Sequence, residues 1–144
     1  MVLFLPRDAA SVPVSRQVLA GCLDTLGVAP DTRTDIALAL SEACGNVIRH
    51  AGPGDEYEVT AWVRGGRCVI EVMNTGNGGR AMIPGDGLVP ADAENGRGLK
   101  IMNAVVDDLR LTGNGRDGTT VHFEKALQWA PGAPGEALFS STDS

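Results

Sequence analysis

Two runs of alternating residues joined by a pair of glycines set the tightest limit on what this chain can fold into. Tyr57, Val59, Ala61 and Val63 alternate with Glu58, Thr60, Trp62 and Arg64, and Cys68, Ile70 and Val72 share one face of the return run over 67–73. A period of two marks a strand with one buried face. Gly65-Gly66 between the runs supplies the positive φ angles of a two-residue hairpin turn. An antiparallel pair is therefore expected mid-chain, and its apolar face needs a second layer to cover it.

Helices supply that layer. Residues 2–5 read as a short strand stopped by Pro6. Ser11 is placed as the N-cap of a first helix, with Pro13 in its first turn, Gly27 at its end, and Val14, Val18 and Cys22 repeating at i+4 beside Leu19, Leu23 and Leu26. A second helix starts after Pro30, capped by Asp31 or Thr32, and runs to about Ala51, where Gly52-Pro53-Gly54 breaks it. Residues 97–108 are predicted helical, with Leu99, Met102, Val105 and Val106 apolar. A last hairpin pairs 109–111 with 119–125 around a glycine-rich turn, Val121 and Phe123 facing inward. Over 75–95 no period holds, and loops of that length inside a domain are functional or disordered. The fold class is then α+β: a two-layer sandwich with a mixed, mostly antiparallel sheet and about three helices on one face. Residues 1–127 form the domain. Residues 128–144, rich in Pro, Gly, Ala and Ser, are expected to be a disordered tail.

Composition narrows the function. A chain of 144 residues holds one core. With 18 acidic against 12 basic residues, net charge −6 and no basic run, direct nucleic-acid binding is not expected. Cys22, Cys44 and Cys68 are scattered, no CxxC occurs, and only two histidines are present, which argues against a zinc site and fits reduced thiols in a cytoplasmic protein. No apolar run is long enough to cross a membrane. The apolar opening lacks a basic n-region and is not expected to be a secretory signal.

Four segments carry polar chemistry. At 100° per residue, Glu42, Asn46 and Arg49 share one narrow face of the second helix, with Asp35 two turns earlier and Leu38 as the apolar exception; Ile36, Leu40, Ala43, Cys44 and Val47 lie opposite. A carboxylate and an amide at i, i+4 can orient a nucleophile and hold a hydrated cation, since magnesium keeps most of its waters and takes only one or two protein oxygens. Taken alone, such a stripe is more often a solvated helix face. Asn74-Thr75-Gly76-Asn77-Gly78 follows a strand directly, where glycines permit close backbone approach to a ligand or simply make a turn. Asn95-Gly96-Arg97-Gly98-Leu99 is read as opening the third helix, whose free N–H groups favour phosphate. Arg97 and Lys100 put positive charge in the first turn, where the helix dipole opposes it unless an anion is near. Gly118-Thr119 starts the last strand. No P-loop sequence occurs.

Together and in order, these segments resemble the nucleotide-binding boxes of the GHKL ATPases, the group of gyrase, Hsp90, histidine kinases and MutL. SEACGNVIRHA over 41–51 is similar to the N box, the Asn74 segment to the DxGxG box, residues 95–102 to the second glycine box and Gly118-Thr119 to the final box. The resemblance covers about residues 8–126 and is nearest to the small, stand-alone anti-sigma factor serine/threonine kinases of the RsbW type. It implies a Bergerat-type ATP fold with ATP and Mg²⁺ as cofactors. Asn46 is then the magnesium ligand and Glu42 the general base that takes the proton from a substrate serine. Nucleotide contacts fall to Asn46, Arg49, Asn74, Gly76, Gly78, Gly96, Arg97, Gly98, Leu99 and Thr119, with residues 79–95 as a lid. The implied partners are a sigma factor and an anti-anti-sigma factor, and the implied assembly is a homodimer.

One position departs from the family pattern. Asn74 stands where the family has Asp, whose carboxylate accepts a hydrogen bond from the adenine amino group. An amide oxygen still accepts, but the lost charge costs about 1–2 kcal/mol, roughly ten-fold in affinity. Two readings follow: an active kinase that also sequesters a sigma factor, or a module that keeps the fold and inhibits by occupancy. A partner unrelated to sigma factors is a third. His50 and His122 are both read as structural.

Overall fold

The computed structural model describes residues 1–50, 56–74, 93–113 and 119–140; of His50, residues 93–97, Gly113, Thr119 and Ser140 it describes the backbone alone. The elements run β1 (Val2–Pro6), α1 (Ser11–Leu26), α2 (Pro30–His50), β2 (Glu56–Arg64), β3 (Arg67–Asn74), α3 (Ala93–Val105), β4 (Asp108–Gly113), β5 (Thr119–Ala126) and α4 (Pro134–Ser140). The strands form one five-stranded sheet in the order β1-β2-β3-β5-β4. Every pairing among the described residues is antiparallel, so the expected mixture with parallel strands is not found there.

The β2–β3 hairpin takes the register its glycines dictate. Gly65 and Gly66 have φ of 61° and 76°, and Arg64 pairs with Arg67 across them. Alternation then carries Tyr57, Val59 and Ala61 to the inner face beside Cys68, Ile70 and Val72, with Val121 and Phe123 of β5 continuing the layer. On this face lies α2, whose Ile36, Ala39, Leu40, Ala43, Cys44 and Val47 are wholly buried. Apolar area removed from water is worth about 25 cal/mol per Å², so this contact stabilises the packing of α2 on the sheet.

Three local expectations are corrected. In α1 the buried stripe is Ser11, Ser15, Leu19 and Leu23. Val14 and Val18, expected inside, are exposed, and so is Cys22. Two serines can be buried because their hydroxyls are bonded. Ser11 Oγ lies 2.7 Å from the Asp8 carbonyl and 2.5 Å from Tyr57 Oη; Ser15 Oγ donates to the Val12 carbonyl at 2.8 Å. Ser11 is the first helical residue rather than the N-cap, and the Asp8 carboxylate accepts the Ala10 N–H just upstream.

Helix α3 begins at Ala93 and ends at Val105, several residues earlier at both ends than its apolar spacing suggested. The expected disordered tail is, over 127–140, a packed strap. Leu127 N–H bonds the Gly66 carbonyl, Ala29 N–H the Gln128 carbonyl and Ala130 N–H the Gly27 carbonyl. Gly27, in the left-handed conformation that ends α1, has Ala133 where a Cβ would sit, and Gly135 has Trp129 there. The small residues that resemble a linker are what let the strap lie this close. Residues 75–92, 114–118 and 141–144, which include most of the expected loop, lie outside the described residues.

Candidate functional site

Helix α2 places the polar stripe along the side that meets α3. Asn46 sits on it at 2% exposure, between the fully buried pair Ala43–Cys44 and Val47. Neither its Oδ1 nor its Nδ2 has a hydrogen-bond partner among the described residues. An unsatisfied buried polar group costs about 1–3 kcal/mol. A whole amide held in this state is unusual in a core otherwise well satisfied, and it presents one hard oxygen acceptor and two donors.

Its neighbours converge from two helices. Glu42, one turn earlier, is half-buried, and its Oε1 lies against Gly98 of α3: a Cβ built on Gly98 would stand 2.8 Å from that oxygen. Arg49 folds back along its own helix, with one guanidinium nitrogen 3.3 Å from the Cβ position of Gly45 and the other 3.9 Å from that of Gly98. The Glu42 carboxylate and the Arg49 guanidinium thus meet at Gly98 of α3, with Asn46 between them in sequence on the same stripe of α2. The sequence expected the amide at 46 and the glycines near 97 to face each other, and the packing of α2 on α3 brings their helices together.

The glycine segment itself is placed differently. Because α3 starts at Ala93, Gly98 falls in the second turn, where its N–H belongs to the helical ladder; the free amides are those of the turn before. Lys100, expected in the first turn, is also in the second and is exposed. Leu99 is half-buried against the core. Asn74 closes β3 opposite Tyr57 at 7% exposure, on the face the helices cover. Gly96, Arg97 and Thr119 are described by backbone alone, in α3 and at the start of β5, and Gly76 and Gly78 lie outside the described residues.

Other polar residues are engaged elsewhere. Asp35, at the far end of the stripe, pairs with Lys125 of β5 at 3.2 Å. His122 lies on the opposite, outer face of the sheet, between Glu71 and Glu124 at 2.9 Å each. Burial alone would lower its pKa; the hydrogen bonds to Glu124 and Glu71 outweigh that and raise it. Glu124 is lowered, chiefly by the same bond to His122.

Sequence reasoning missed several supporting residues. Arg7 donates to the Ile48 carbonyl near the C-terminal end of α2, and Arg16 donates to Ser41 Oγ at 3.0 Å from α1. Ser15 Oγ stands 3.6 Å from Cys44 Sγ, and burial pushes the Cys44 thiol up to about 11, so it is an inert structural thiol. Burial likewise raises Tyr57. None of these has a signal in apolar periodicity. A cavity of about 340 Å³ at the turn end of the β2–β3 hairpin, lined by Leu19, Leu23, Cys68 and Phe139 among others, is apolar and lacks the convergent polar groups of a reaction site.

This fold has counterparts among known proteins. A family model of the histidine kinase-like ATPase domain matches residues 5–125. The serine-protein kinase RsbW of Bacillus cereus is 31% identical over 134 residues, covering 86% of this chain and 82% of the relative. RsbW of Bacillus mycoides is similar to the same extent. The crystal structure of the RsbU and RsbW domains of a Mycobacterium tuberculosis protein superposes with a TM-score of 0.63 at 21% identity, over 88% of this chain. This chain spans 32% of that longer one, and the likeness bears on the fold. The chain belongs to the histidine kinase-like ATPase family, in the branch of the RsbW-type serine-protein kinases.

Proposed function

We propose that the chain is an ATP-dependent protein serine kinase that phosphorylates an anti-anti-sigma factor and, in its other state, sequesters a sigma factor. The observation that carries the reading is Asn46, a buried amide left without a partner among the described residues, on the helix that packs against α3. Such a group fits a ligand that arrives from outside the chain. Its oxygen suits a magnesium ion, which binds few protein atoms directly and is completed by phosphates and water. When bound, the ion neutralises charge on the phosphates.

The chain's own residues do the rest. Glu42, one turn from Asn46, would accept the proton of the substrate serine hydroxyl as that oxygen attacks the terminal phosphorus of ATP and the bond to the β–γ bridging oxygen breaks, with ADP as the leaving group. Arg49 lies between α2 and α3 and offers positive charge beside the phosphates. Gly96 and Arg97, at the start of α3 where free N–H groups favour anions, are assigned to the phosphate side; Gly98 and Leu99, whose N–H groups lie in the helical ladder, are not assigned a phosphate contact. Asn74, Gly76, Gly78 and Thr119 are assigned to the adenine side. The location is taken as cytoplasmic. No described helix is long and apolar enough to cross a membrane. A homodimer is supported by the exposed Val14 and Val18 of α1 and Val2 and Phe4 of β1. The net charge of −6 gives no support to direct nucleic-acid binding.

The test is transfer of label from γ-labelled ATP, with magnesium, to an anti-anti-sigma protein encoded in the same genome. Glu42→Gln is expected to lower the rate by about 10²–10⁴-fold while nucleotide still binds. Undiminished transfer would remove Glu42 as the base.

Asn74 favours a second reading, a module of the same fold that inhibits by occupancy without effective catalysis. Calorimetry discriminates the two. No heat with millimolar Mg·ATP, alongside intact binding to a sigma factor, selects the second.

A further inference from the structure

Gly98 is an expensive residue where it stands. It occupies the second turn of α3, and glycine inside a helix is less favourable than alanine by about 1 kcal/mol. Its N–H is committed to the ladder, so a free amide does not explain it. Its conformation does not either, because among the described glycines the positive φ values belong to Gly27, Gly65, Gly66 and Gly132. What the missing Cβ leaves is space, and that space is filled by the Glu42 carboxylate, with Oε1 2.8 Å from where the methyl would be. The guanidinium of Arg49 borders the same gap at 3.9 Å.

We infer that Gly98 is the positioning residue for the base: its bare backbone is the seat against which the Glu42 carboxylate rests, which fixes where the acceptor hydroxyl is met. The inference rests on the kinase reading above and adds a residue that acts through Glu42. An alanine at 98 leaves the fold intact, because the atom it displaces is the mobile end of a side chain, and it improves the helix. The carboxylate then has to swing off its seat. Stability and activity therefore move in opposite directions, which a merely structural glycine does not produce.

The experiment uses the full chain. In the wild type, through-space proton contacts between the Glu42 γ protons and the Gly98 α protons are expected; their absence overturns the inference. Gly98→Ala is expected to unfold no earlier than wild type on heating and to bind Mg·ATP within about three-fold, by the same energy scale as a few tenths of a kcal/mol. Its slow Mg·ATP hydrolysis, with water in the acceptor's place, should fall by on the order of ten- to a hundred-fold, the usual penalty for a base misplaced by about an ångström. Adding Glu42→Asp should cost less in that background than in wild type, because the seat is already lost. Full hydrolysis by Gly98→Ala overturns the inference while leaving the kinase reading intact. Nucleotide affinity falling in step with the rate also overturns it, since the space then belongs to a phosphate. A wild type that neither binds nor hydrolyses Mg·ATP sinks the kinase reading, and the inference with it.

Discussion

Two buried polar regions of this molecule lie within a few residues of each other and differ in one respect. Between α1, α2 and β2, the hydroxyls of Ser11, Ser15 and Tyr57 and the thiol of Cys44 satisfy one another or a nearby carbonyl. Two positions further along α2, Asn46 is as deeply buried and has no hydrogen-bond partner among the described residues. The first region is complete as folded and serves to hold α1 against α2. The second leaves an amide open among the described residues, and the kinase reading assigns its partner to a ligand. Polarity and burial are shared; satisfaction separates a structural network from a binding site.

The sharpest way to break this contrast is to remove the orphan. Asn46→Ala is expected to weaken Mg·ATP binding by roughly a hundred-fold, by calorimetry, while leaving the urea midpoint unchanged or higher, since an unsatisfied amide leaves the core. A variant that binds nucleotide normally and unfolds early would place Asn46 with the structural network. The converse substitution, Tyr57→Phe, removes the hydroxyl beside Ser11 and should cost about 1–3 kcal/mol in urea denaturation with nucleotide affinity unmoved. Asn74→Asp should tighten Mg·ATP binding by about ten-fold through a charge-assisted bond, and no change would show that position 74 does not face the adenine.

The smallest effect belongs to the outer face, where His122 supplies a third, titrating case. Its pKa is raised in the folded state, so its contribution to stability is full below about 6.5, the unfolded value, and fades as pH rises through the higher folded value. Glu124 is lowered, so its contribution is present above its unfolded value near 4.5 and fades as pH falls through the folded one. Stability of this face therefore peaks in the acidic window between the two. His122→Gln should flatten the decline of the urea midpoint on the alkaline side; an unaltered slope would assign the decline to another group.

How far these regions were legible follows from what each is made of. The hairpin and the inner face of the sheet were readable because a period of two admits one register, and Gly65-Gly66 pinned it. Glu42 and Asn46 were placed on one face by helical geometry alone. Ser11 and Ser15 were not, because periodicity counts apolar residues and a serine whose hydroxyl is bonded packs like a small apolar one. The start of α3 was misjudged at Gly96 and Gly98, since glycine reads as a helix boundary while here at least Gly98 answers to a carboxylate on another helix. That relation depends on how α2 crosses α3, which no local spacing encodes. The strap over 127–140 was hidden by composition: Ala, Gly and Pro look like a linker until Gly27 and Trp129 are known to need neighbours without bulk.

The two rims of the sheet are not alike. Along β1, Val2 and Phe4 stand 52% and 62% exposed, with nothing charged between them. Along β4, Asp108 and Arg110 pair at 3.0 Å, the kind of polar fringe that discourages another strand from adding on. Of the two described margins, the apolar one invites an added strand and the charged one turns it away, so any growth of this sheet by strand addition is directed to the β1 side.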